Sequence, residues 1–329
     1  MVNWSAAGLA DREWDAALAR VPDANIFQSS AWARHKADFG WRPIRALAGG
    51  AEAPRAAVQA LVKRMPGGAR VLWARGGPVG DPRLWNAELR ELLRDESGGA
   101  VIYCRVCPYR EADAPTTGAL GEAGWAKPKN PLDLAMTYLL DLGPDPDTLK
   151  ANLSLNWRHN LKRGNARAAV ADWNDPDPKE MEAMYLSLEA FKRLPPLHRA
   201  DALGSLVRAL GPALVLKRVL VDGRMVALRA CAVFGDSSMD LLAASAGDAR
   251  KVYASYSLLW TMFLESKRLG AKAYDLGGVN PGAAPGVSDF KKGTGARLIE
   301  TLGERDFASP SFLHAPAGAL IAWKLGKNG

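Results

Sequence analysis

Apolar residues recur along this chain with two periods, one of three to four residues and one of two, so both helices and strands are predicted. Ser29 and Ser30 offer an N-cap to the helix that follows them. In the first third, helices are predicted at residues 11–20, 30–39 and 82–95, and strands at 44–48, 56–63, 71–75 and 101–106. This order of elements is typical of an α/β module.

The rest of the chain repeats the same coarse order. Residues 141–147, rich in Pro, Gly and Asp, predict a linker, and Asp222-Gly223 is a specific signature of a hairpin. Helices are predicted at 147–168, 178–191, 200–209 and 254–269, and strands at 169–173, 214–221, 225–234, 239–244 and 273–276. Duplication of one α/β module is the economical interpretation.

Length and composition suit two domains of ordinary size. The 329 residues are too many for most single cores, and the 48% apolar content is enough for two. Lys and Arg number 43 against 35 Asp and Glu, and the net charge of +8 favours an anionic partner such as nucleic acid, nucleotide phosphate or an acidic membrane. No signal-peptide or membrane-spanning pattern is present, so a cytoplasmic location is expected.

Three cysteines are too few for a disulfide framework. Cys104 and Cys107 have the spacing of a redox or zinc pair, but they lie in a predicted strand, where positions three apart point to opposite faces. Only Cys231 and four scattered histidines remain, so the second half of a zinc site is missing. We therefore expect no metal.

The most informative segment is a strand that ends in glycines. Residues 274–279 run into Gly277 and Gly278, and the chain re-enters order at Lys291, which is followed by Gly293 and Gly295. Such a segment predicts a strand end that presents backbone and one positive charge to a ligand. A wide surface turn before an edge strand explains the same glycines.

A second segment is strongly basic. Between residues 150 and 170 there are several Lys and Arg and no carboxylate, and Arg158, Lys162 and Arg163 lie close to one face of the predicted helix. Like charges on a helix are usually relieved by acidic partners four residues away, so their absence favours a polyanionic ligand. The alternative is a solvated basic face.

Other catalytic patterns are missing. Residues 161–166 and 290–295 come nearest to the pyrophosphate loop of acyl-CoA-dependent acetyltransferases, but each has an apolar residue where Gln or Arg belongs. No Ser-His-Asp or Cys-His order stands out. Chemistry is then expected to rely on positioning and electrostatics, with Lys291 as the charge for an oxyanion.

Five segments in order resemble the Fem family of non-ribosomal peptidyltransferases, over about residues 25 to 306. These segments are residues 26–32, 157–162, 254–270, 274–278 and 290–291. The resemblance implies an α/β fold of two tandem GNAT-like domains with mixed sheets and no coiled-coil arm. The first domain would comprise residues 1–143 with a returning C-terminal helix at 311–329, and the second residues 144–310.

The resemblance also implies an activity. Members transfer an amino acid from aminoacyl-tRNA to an amine of a peptidoglycan precursor, UDP-linked or lipid-linked, and so build the interpeptide bridge. The chain would need no cofactor beyond the aminoacyl-tRNA co-substrate, and would act as a monomer in the cytoplasm with peripheral contact at the inner face of the membrane.

Residue roles carry over by position. Lys36 matches the lysine that contacts the precursor's diphosphate, Arg199 the phosphate-binding arginine, and Lys291 the lysine that stabilises the oxyanion and the tRNA 3′ end. The remaining expected contacts are Asp275, Gly277 and Gly278 to substrate, and Arg158, Lys162, Arg163 and Lys292 to tRNA.

The chain departs from the family pattern at three positions, Leu203, Cys107 and Thr294, where members often have Tyr, Asp and Phe. Two other functions remain open. One is an acyl-CoA-dependent N-acyltransferase on the same double fold. The other is a non-catalytic module that binds RNA or a membrane surface, in which residues 312–324 would form an interfacial helix rather than dock on the first domain.

Overall fold

The structure is a computed structural model that describes residues 2–192 and 198–319. Two compact units divide the chain. The first extends to Ala135 and resumes at Glu300, and the second spans Met136–Ile299. The chain therefore leaves the first unit, builds the second, and returns.

The first unit is a seven-stranded sheet with helices. Its strands are β1 (Trp4–Ala6), β2 (Arg42–Ala48), β3 (Ala56–Arg64), β4 (Arg70–Arg75), β5 (Val79–Gly80), β6 (Ile102–Cys107) and β14 (Arg305–Ser309). Its helices are α1 (Asp11–Leu18), α2 (Ser30–Ala37), α3 (Ala87–Ser97) and α4 (Ala114–Glu122). The sheet order is β1-β2-β3-β4-β6-β14, with β5 paired to β3. Buried residues such as Val58, Leu72, Leu89 and Phe307 form its core.

One parallel pair of strands positions side chains in this unit. β4 and β6 are parallel, with Arg75 opposite Cys107 at their carboxyl ends. The N-cap predicted before α2 is confirmed, since the Ser29 hydroxyl accepts a hydrogen bond from the Trp32 N–H. The cap fixes where α2 begins, and so fixes the face of the helix on which Lys36, in the last turn, lies.

The returning strand β14 closes the first sheet and buries charge. The Arg105 guanidinium, 3% exposed, donates to Glu304 at 3.1 Å and lies 3.5 Å from Asp306, which also accepts from the Tyr103 hydroxyl. His314 contacts the other oxygen of Asp306 at 2.7 Å. The pairs that Tyr103 and Arg105 make with Glu304 and Asp306 join residues about 200 positions apart.

The second unit is also a seven-stranded mixed sheet. Its strands are β7 (Met136–Asp141), β8 (Val170–Asp172), β9 (Leu214–Val221), β10 (Arg224–Phe234), β11 (Ser237–Ser245), β12 (Ala273–Gly278) and β13 (Arg297–Glu300). Its helices are α5 (Pro146–Ala151), α6 (Leu155–Arg167), α7 (Pro178–Lys192), α8 (Ala200–Leu210), α9 (Ala254–Arg268) and α10 (Pro285–Lys292). The sheet order is β13-β7-β12-β11-β10-β9-β8. Its largest core cluster includes Trp157, Phe263 and Tyr274.

The predicted hairpin between β9 and β10 is confirmed. Asp222 and Gly223 have φ of 50° and 75°, the left-handed pair that a two-residue type I′ turn requires. The single helix predicted at 147–168 is wrong, because Ser154 caps a new helix and separates α5 from α6. The sequence also missed β7, which immediately precedes the breakers at 141–147.

The domain boundaries differ from those predicted at residues 143 and 310. Residues 136–141 form β7 and pair with β12 in the second sheet, while Arg305–Ser309 pairs with β6 in the first. Strand pairing thus moves the boundaries to 135/136 and 299/300. The predicted C-terminal helix lies outside the described residues from 320 onward, and Phe312 at its start is 75% exposed.

No helix within residues 2–192 and 198–319 is both long and apolar enough to cross a membrane.

Candidate active site

The second unit holds a buried lysine at the end of α10. The ammonium of Lys291, on a side chain only 8% exposed, donates to the carbonyl oxygens of Gly277 at 2.8 Å and Gly278 at 3.0 Å. The glycine-rich strand end and the lysine therefore do converge. The segment does lead on to the edge strand β13, but it is more than a surface turn, because it contains α10 and Lys291 is buried in the last turn of that helix.

The strands part at this point. The parallel pairing between β11 and β12 ends at Met239 opposite Asp275, so the residues that follow are not bonded across. Gly277 has φ of 80°, which favours glycine, and a Cβ there would lie 3.9 Å from the Lys291 Nζ. The opening between two diverging strands exposes backbone to a ligand.

Asp275 fixes the backbone of this strand end. Its carboxylate accepts from the Thr137 hydroxyl and from the Gly277 N–H at 2.8 Å. The same hydroxyl lies 2.9 Å from the Gly277 oxygen. Burial raises the pKa of Asp275, although the bonds from Thr137 and Gly277 oppose the change. Asp275 accordingly positions the Gly277 peptide, and its contact with substrate stays a prediction.

A second buried charge pair lies beside the lysine. Arg229 donates to both oxygens of Asp240, at 2.9 and 2.5 Å, and the Tyr274 hydroxyl donates to Asp240 at 3.0 Å. Burial lowers the pKa of Lys291, and the negative charges of Asp240 and Asp275 oppose this while Arg229 adds to it. No sequence pattern drew attention to Arg229 or Asp240, which lie inside ordinary strands.

Tyr185 and His198 extend this group toward Arg199. The Tyr185 ring stacks on His198 with centroids 3.7 Å apart, and its hydroxyl accepts from the Ala243 N–H at 2.9 Å. Arg199 is the N-cap residue of α8, is two-thirds exposed and lies 3.3 Å from Glu182. Leu203 is buried one turn later. Among the described residues, no hydrogen bond or ion pair joins Arg199 to the Lys291 group, and its phosphate-binding role stays a prediction.

The first unit has a separate cluster around Lys36. Its ammonium lies 4.7 Å from the centre of the Trp32 ring, and no carboxylate of a described residue forms an ion pair with it. Burial, together with the positive charge of Arg75, lowers the pKa of Lys36 to about 8. A half-buried cation without an acidic partner is suited to hold an anion.

Arg75 accompanies Lys36 and was missed by the sequence. It stacks 4.4 Å from the Phe27 ring centre and donates to the Tyr109 hydroxyl at 2.8 Å and to Asp133 at 3.2 Å. One feature of the sequence could have identified Arg75 as a candidate: it is the last residue of a predicted strand and is followed by Gly76 and Gly77. The first unit thus also places a cation where two parallel strands end.

Three potential metal ligands, Cys107, Asp133 and Glu304, have ligand atoms within 4.8 Å of one another. Asp133 is ion-paired with Arg75 at 3.2 Å, and Glu304 with Arg105 at 3.1 Å. Burial raises the pKa of the Cys107 thiol well above its ordinary value, and the two carboxylates add to this. A protonated thiol and two arginine-paired carboxylates fit a cation poorly.

The basic face predicted on one helix lies on α6. Arg158, Lys162 and Arg163 are exposed there, and Lys292 is exposed at the end of α10. The two helix ends are joined, because the Ser154 N–H donates to the Gly293 oxygen at 2.9 Å and the Trp157 indole to the Phe290 oxygen at 3.0 Å. The basic face consequently begins beside the lysine site.

Neither candidate pyrophosphate loop lies at the amino end of a helix. Residues 161–166 lie inside α6, where a Cβ on Gly164 would come within 2.4 Å of the Ser257 hydroxyl, and Gly293 follows the carboxyl end of α10. Phosphates bind at helix amino ends, where free N–H groups point outward. Both glycines instead serve close packing.

Part of the chain matches the model of a known family. The model of the FemAB family matches residues 222–316, and the resemblance to that family is confirmed over this segment. The match includes the glycine-rich strand end, α10 and Lys291. Comparison with the sequences of curated proteins gives no match.

Three solved structures share the fold. The crystal structure of FemX has a TM-score of 0.81 at 18% identity, covering 97% of this chain and 100% of that one. The C-terminal domain of a putative lysylphosphatidylglycerol synthetase from Agrobacterium fabrum gives 0.55 at 14% identity, covering 95% and 97%. A tandem GNAT protein from the clavulanic acid biosynthesis pathway gives 0.54 at 12%, covering 94% and 98%. The tandem GNAT-like architecture is thereby shown.

Proposed function

We propose, from the match to the FemAB family, that this protein is an aminoacyltransferase that moves an amino acid from aminoacyl-tRNA to an amine of a peptidoglycan precursor. The observation that carries the proposal is the position of Lys291. It is a buried ammonium held by two glycine carbonyls at an opening between parting strands. This segment lies within the part of the chain that matches the family.

An ammonium has three N–H donors, and Lys291 uses two of them on Gly277 and Gly278. The third is left for a ligand oxygen. In the proposed reaction the acceptor amine attacks the ester carbon, the carbonyl oxygen becomes an oxyanion, and the bond to the 3′ oxygen of the tRNA then breaks. The amine loses a proton and the 3′ oxygen gains one, so no outside reactant is needed.

A preorganised donor in a dry site stabilises such an oxyanion by about 3 kcal/mol. The bonds to the two glycine carbonyls fix the ammonium before substrate arrives, so little reorganisation accompanies the reaction. The Arg229–Asp240 pair and Asp275 keep the surrounding charge close to balance. Because burial already lowers the pKa of Lys291, the lysine can also return a proton to the leaving oxygen.

The precursor would be held through phosphate. Lys36 offers a half-buried ammonium with no ion-paired carboxylate among the described residues, and an anion there would compensate its lost hydration. Arg199 offers an exposed guanidinium that lies 3.3 Å from Glu182. The diphosphate of a UDP-linked or lipid-linked precursor supplies the matching charge.

The donor is proposed to be RNA rather than an acyl-CoA. The basic face on α6 begins beside Lys291, whereas the glycines of the two candidate pyrophosphate loops, one inside α6 and one just after α10, are closely packed. A cytoplasmic site of action, at the inner face of the membrane if the precursor is lipid-linked, belongs to the same proposal.

The test is transfer of a radiolabelled amino acid to a UDP-linked precursor, with a mixture of charged tRNAs as donor. Incorporation should require charged tRNA and should be abolished by RNase. Incorporation that survives RNase, or clear thermal stabilisation by micromolar CoA, would contradict the proposal and favour an acyl-CoA donor. Repeating the assay with a lipid-linked precursor identifies the acceptor form.

A further inference from the structure

Tyr253 packs against two arginines of α6. The Arg163 and Arg167 guanidinium carbons are 5.5 and 5.9 Å from the centre of its ring, and Arg163 also donates to its hydroxyl at 3.2 Å. The ring is partly exposed. An aromatic face flanked by guanidinium groups is the combination that binds single-stranded nucleic acid through stacking and phosphate contacts.

The local backbone is built around this placement. Tyr253 precedes α9 with φ of 55° and ψ of 30°, a left-handed conformation that is uncommon for a bulky residue and that concentrates at functional sites. Gly164 lets α6 approach this turn, since a Cβ there would lie 3.0 Å from the Tyr253 oxygen. The Ser257 hydroxyl then donates to Asn165 at 3.0 Å and joins the two helices.

The charges of this surface are not neutralised within the protein. In the part of the chain that the structure describes, no carboxylate pairs with Arg158, Lys162, Arg163 or Arg167. Nearby Lys251 is different, because it is paired with Asp248 at 2.7 Å. The four cations of this surface that have no paired carboxylate among the described residues lie on α6.

The basic surface on α6 begins next to Lys291 and runs away from it. At its start α6 is bonded to the end of α10, where Lys291 and the exposed Lys292 lie, and Arg167 is its last residue. Its 13 residues span about 20 Å. A strand of a few nucleotides can therefore have its terminus at Lys291 and its preceding nucleotides along α6.

We propose that Tyr253, with Arg163 and Arg167, is the RNA-binding platform of this protein, on which a base of the donor's 3′ single-stranded segment stacks while its phosphates contact the arginines. This inference rests on the proposed function, because it assumes an RNA donor. It adds a stacking residue and an orientation to the basic face.

The test is binding of a fluorescein-labelled RNA minihelix with an uncharged 3′ single-stranded end, measured by anisotropy at several salt concentrations. The central variant is Tyr253→Asn, since Asn tolerates the left-handed conformation and removes the ring. We expect binding to weaken about 5- to 150-fold, the value of one stacked base, with little change in the salt slope. Tyr253→Phe keeps the ring and should bind nearly as well as the native protein.

Arg163→Gln and Arg167→Gln should act differently. Each should lower the slope of log affinity against log salt by about 1, because one phosphate contact is lost. The matched control is Lys272→Gln, which removes an exposed lysine paired with Asp236 elsewhere in the same unit and should leave binding unchanged.

The outcomes separate the two proposals. Native protein that fails to bind the minihelix would overturn the RNA donor and this inference together. Native protein that binds while Tyr253→Asn and the arginine variants bind equally well would overturn only the platform. Circular dichroism and Tm of each variant show whether a loss of binding comes from loss of the fold.

Discussion

The Lys291 ammonium lies 2.8 Å from the Gly277 carbonyl oxygen, although 13 residues separate them along the chain. The same oxygen is held from the other side by the Thr137 hydroxyl at 2.9 Å. A lysine side chain is ordinarily flexible, but two backbone carbonyls restrict this one to a single direction. Catalysis by positioning requires this kind of restriction.

Replacing Lys291 should affect rate much more than precursor binding. Lys291→Met keeps most of the side-chain length and removes the ammonium, so kcat should fall about 100- to 1000-fold, as for loss of one oxyanion donor. KM for the precursor should change little. The measurement is steady-state transfer from charged tRNA. A rise in KM with kcat unchanged would show that Lys291 binds substrate without assisting the chemical step.

The charge of Lys36 should lower the stability of the folded protein while it supports pyrophosphate binding. Its pKa of about 8 in the folded protein lies below the ordinary 10.5, so burial of its charge destabilises the folded state at neutral pH. Lys36→Met should therefore raise Tm at pH 7 and abolish binding of pyrophosphate. Between pH 8 and 10.5 the unfolded chain holds more protons than the folded one, and the Tm advantage of the variant should disappear.

The pH dependence of binding provides an independent check on Lys36. Pyrophosphate affinity of the native protein should fall as pH rises above 8, by about tenfold per unit while one proton is required. The control is Arg42→Gln, which removes an exposed cation on β2 and should leave the pH dependence of pyrophosphate binding unchanged. Affinity that stays constant from pH 7 to 9.5 would contradict a role for the Lys36 charge.

Asp240→Asn should be strongly destabilising. It leaves the Arg229 guanidinium buried without its charge partner, which typically costs about 3–5 kcal/mol. Tyr274→Phe removes only one hydrogen bond to Asp240 and should cost about 1 kcal/mol. Urea denaturation measures both changes in the free energy of unfolding.

Asp240→Asn should also change the pH dependence of transfer. Because the charge of Asp240 raises the pKa of Lys291, the alkaline limb of the transfer rate should move to lower pH in this variant.

Two glycine-to-alanine changes should have opposite signs. Gly164→Ala places a Cβ 2.4 Å from the Ser257 hydroxyl, so it should lower Tm despite the higher helix propensity of alanine. Gly118→Ala lies in α4 with nothing within 4 Å and should stabilise by about 0.5–1 kcal/mol. Equal effects in thermal unfolding would show that α6 and α9 do not pack closely at Gly164.

Periodicity and turn chemistry predicted most elements, because their signals are local. The hairpin at Asp222 and Gly223 and the cap at Ser29 each depend on a few adjacent residues. β7 was missed because its short apolar run stands directly before a stretch of breakers, and the place of a strand in a sheet is decided by distant partners. The break at Ser154 was missed because helix-forming residues surround it.

The candidate site was predictable only in part for the same reason. Lys291 and the two glycines could be found because the strand end is full of glycine and the lysine follows it. Arg229, Asp240 and Arg75 could not, since each looks like an ordinary charged residue in a strand until the fold buries it beside another charge. The sequence offered Gly164 as a glycine of a pyrophosphate loop, but in the structure it lies in α6 where α9 packs closely against it.

The returning strand β14 has a consequence for synthesis on the ribosome. β6 is made early, yet its neighbour β14 emerges about 200 residues later, after the whole second unit. Until then the buried Arg105 lacks both Glu304 and Asp306, and the edge of β6 is open. The sheet of the first unit therefore stays incomplete until the second unit has been synthesised. A chain that ends before residue 300 would leave the edge of β6 open to pairing with strands of other chains.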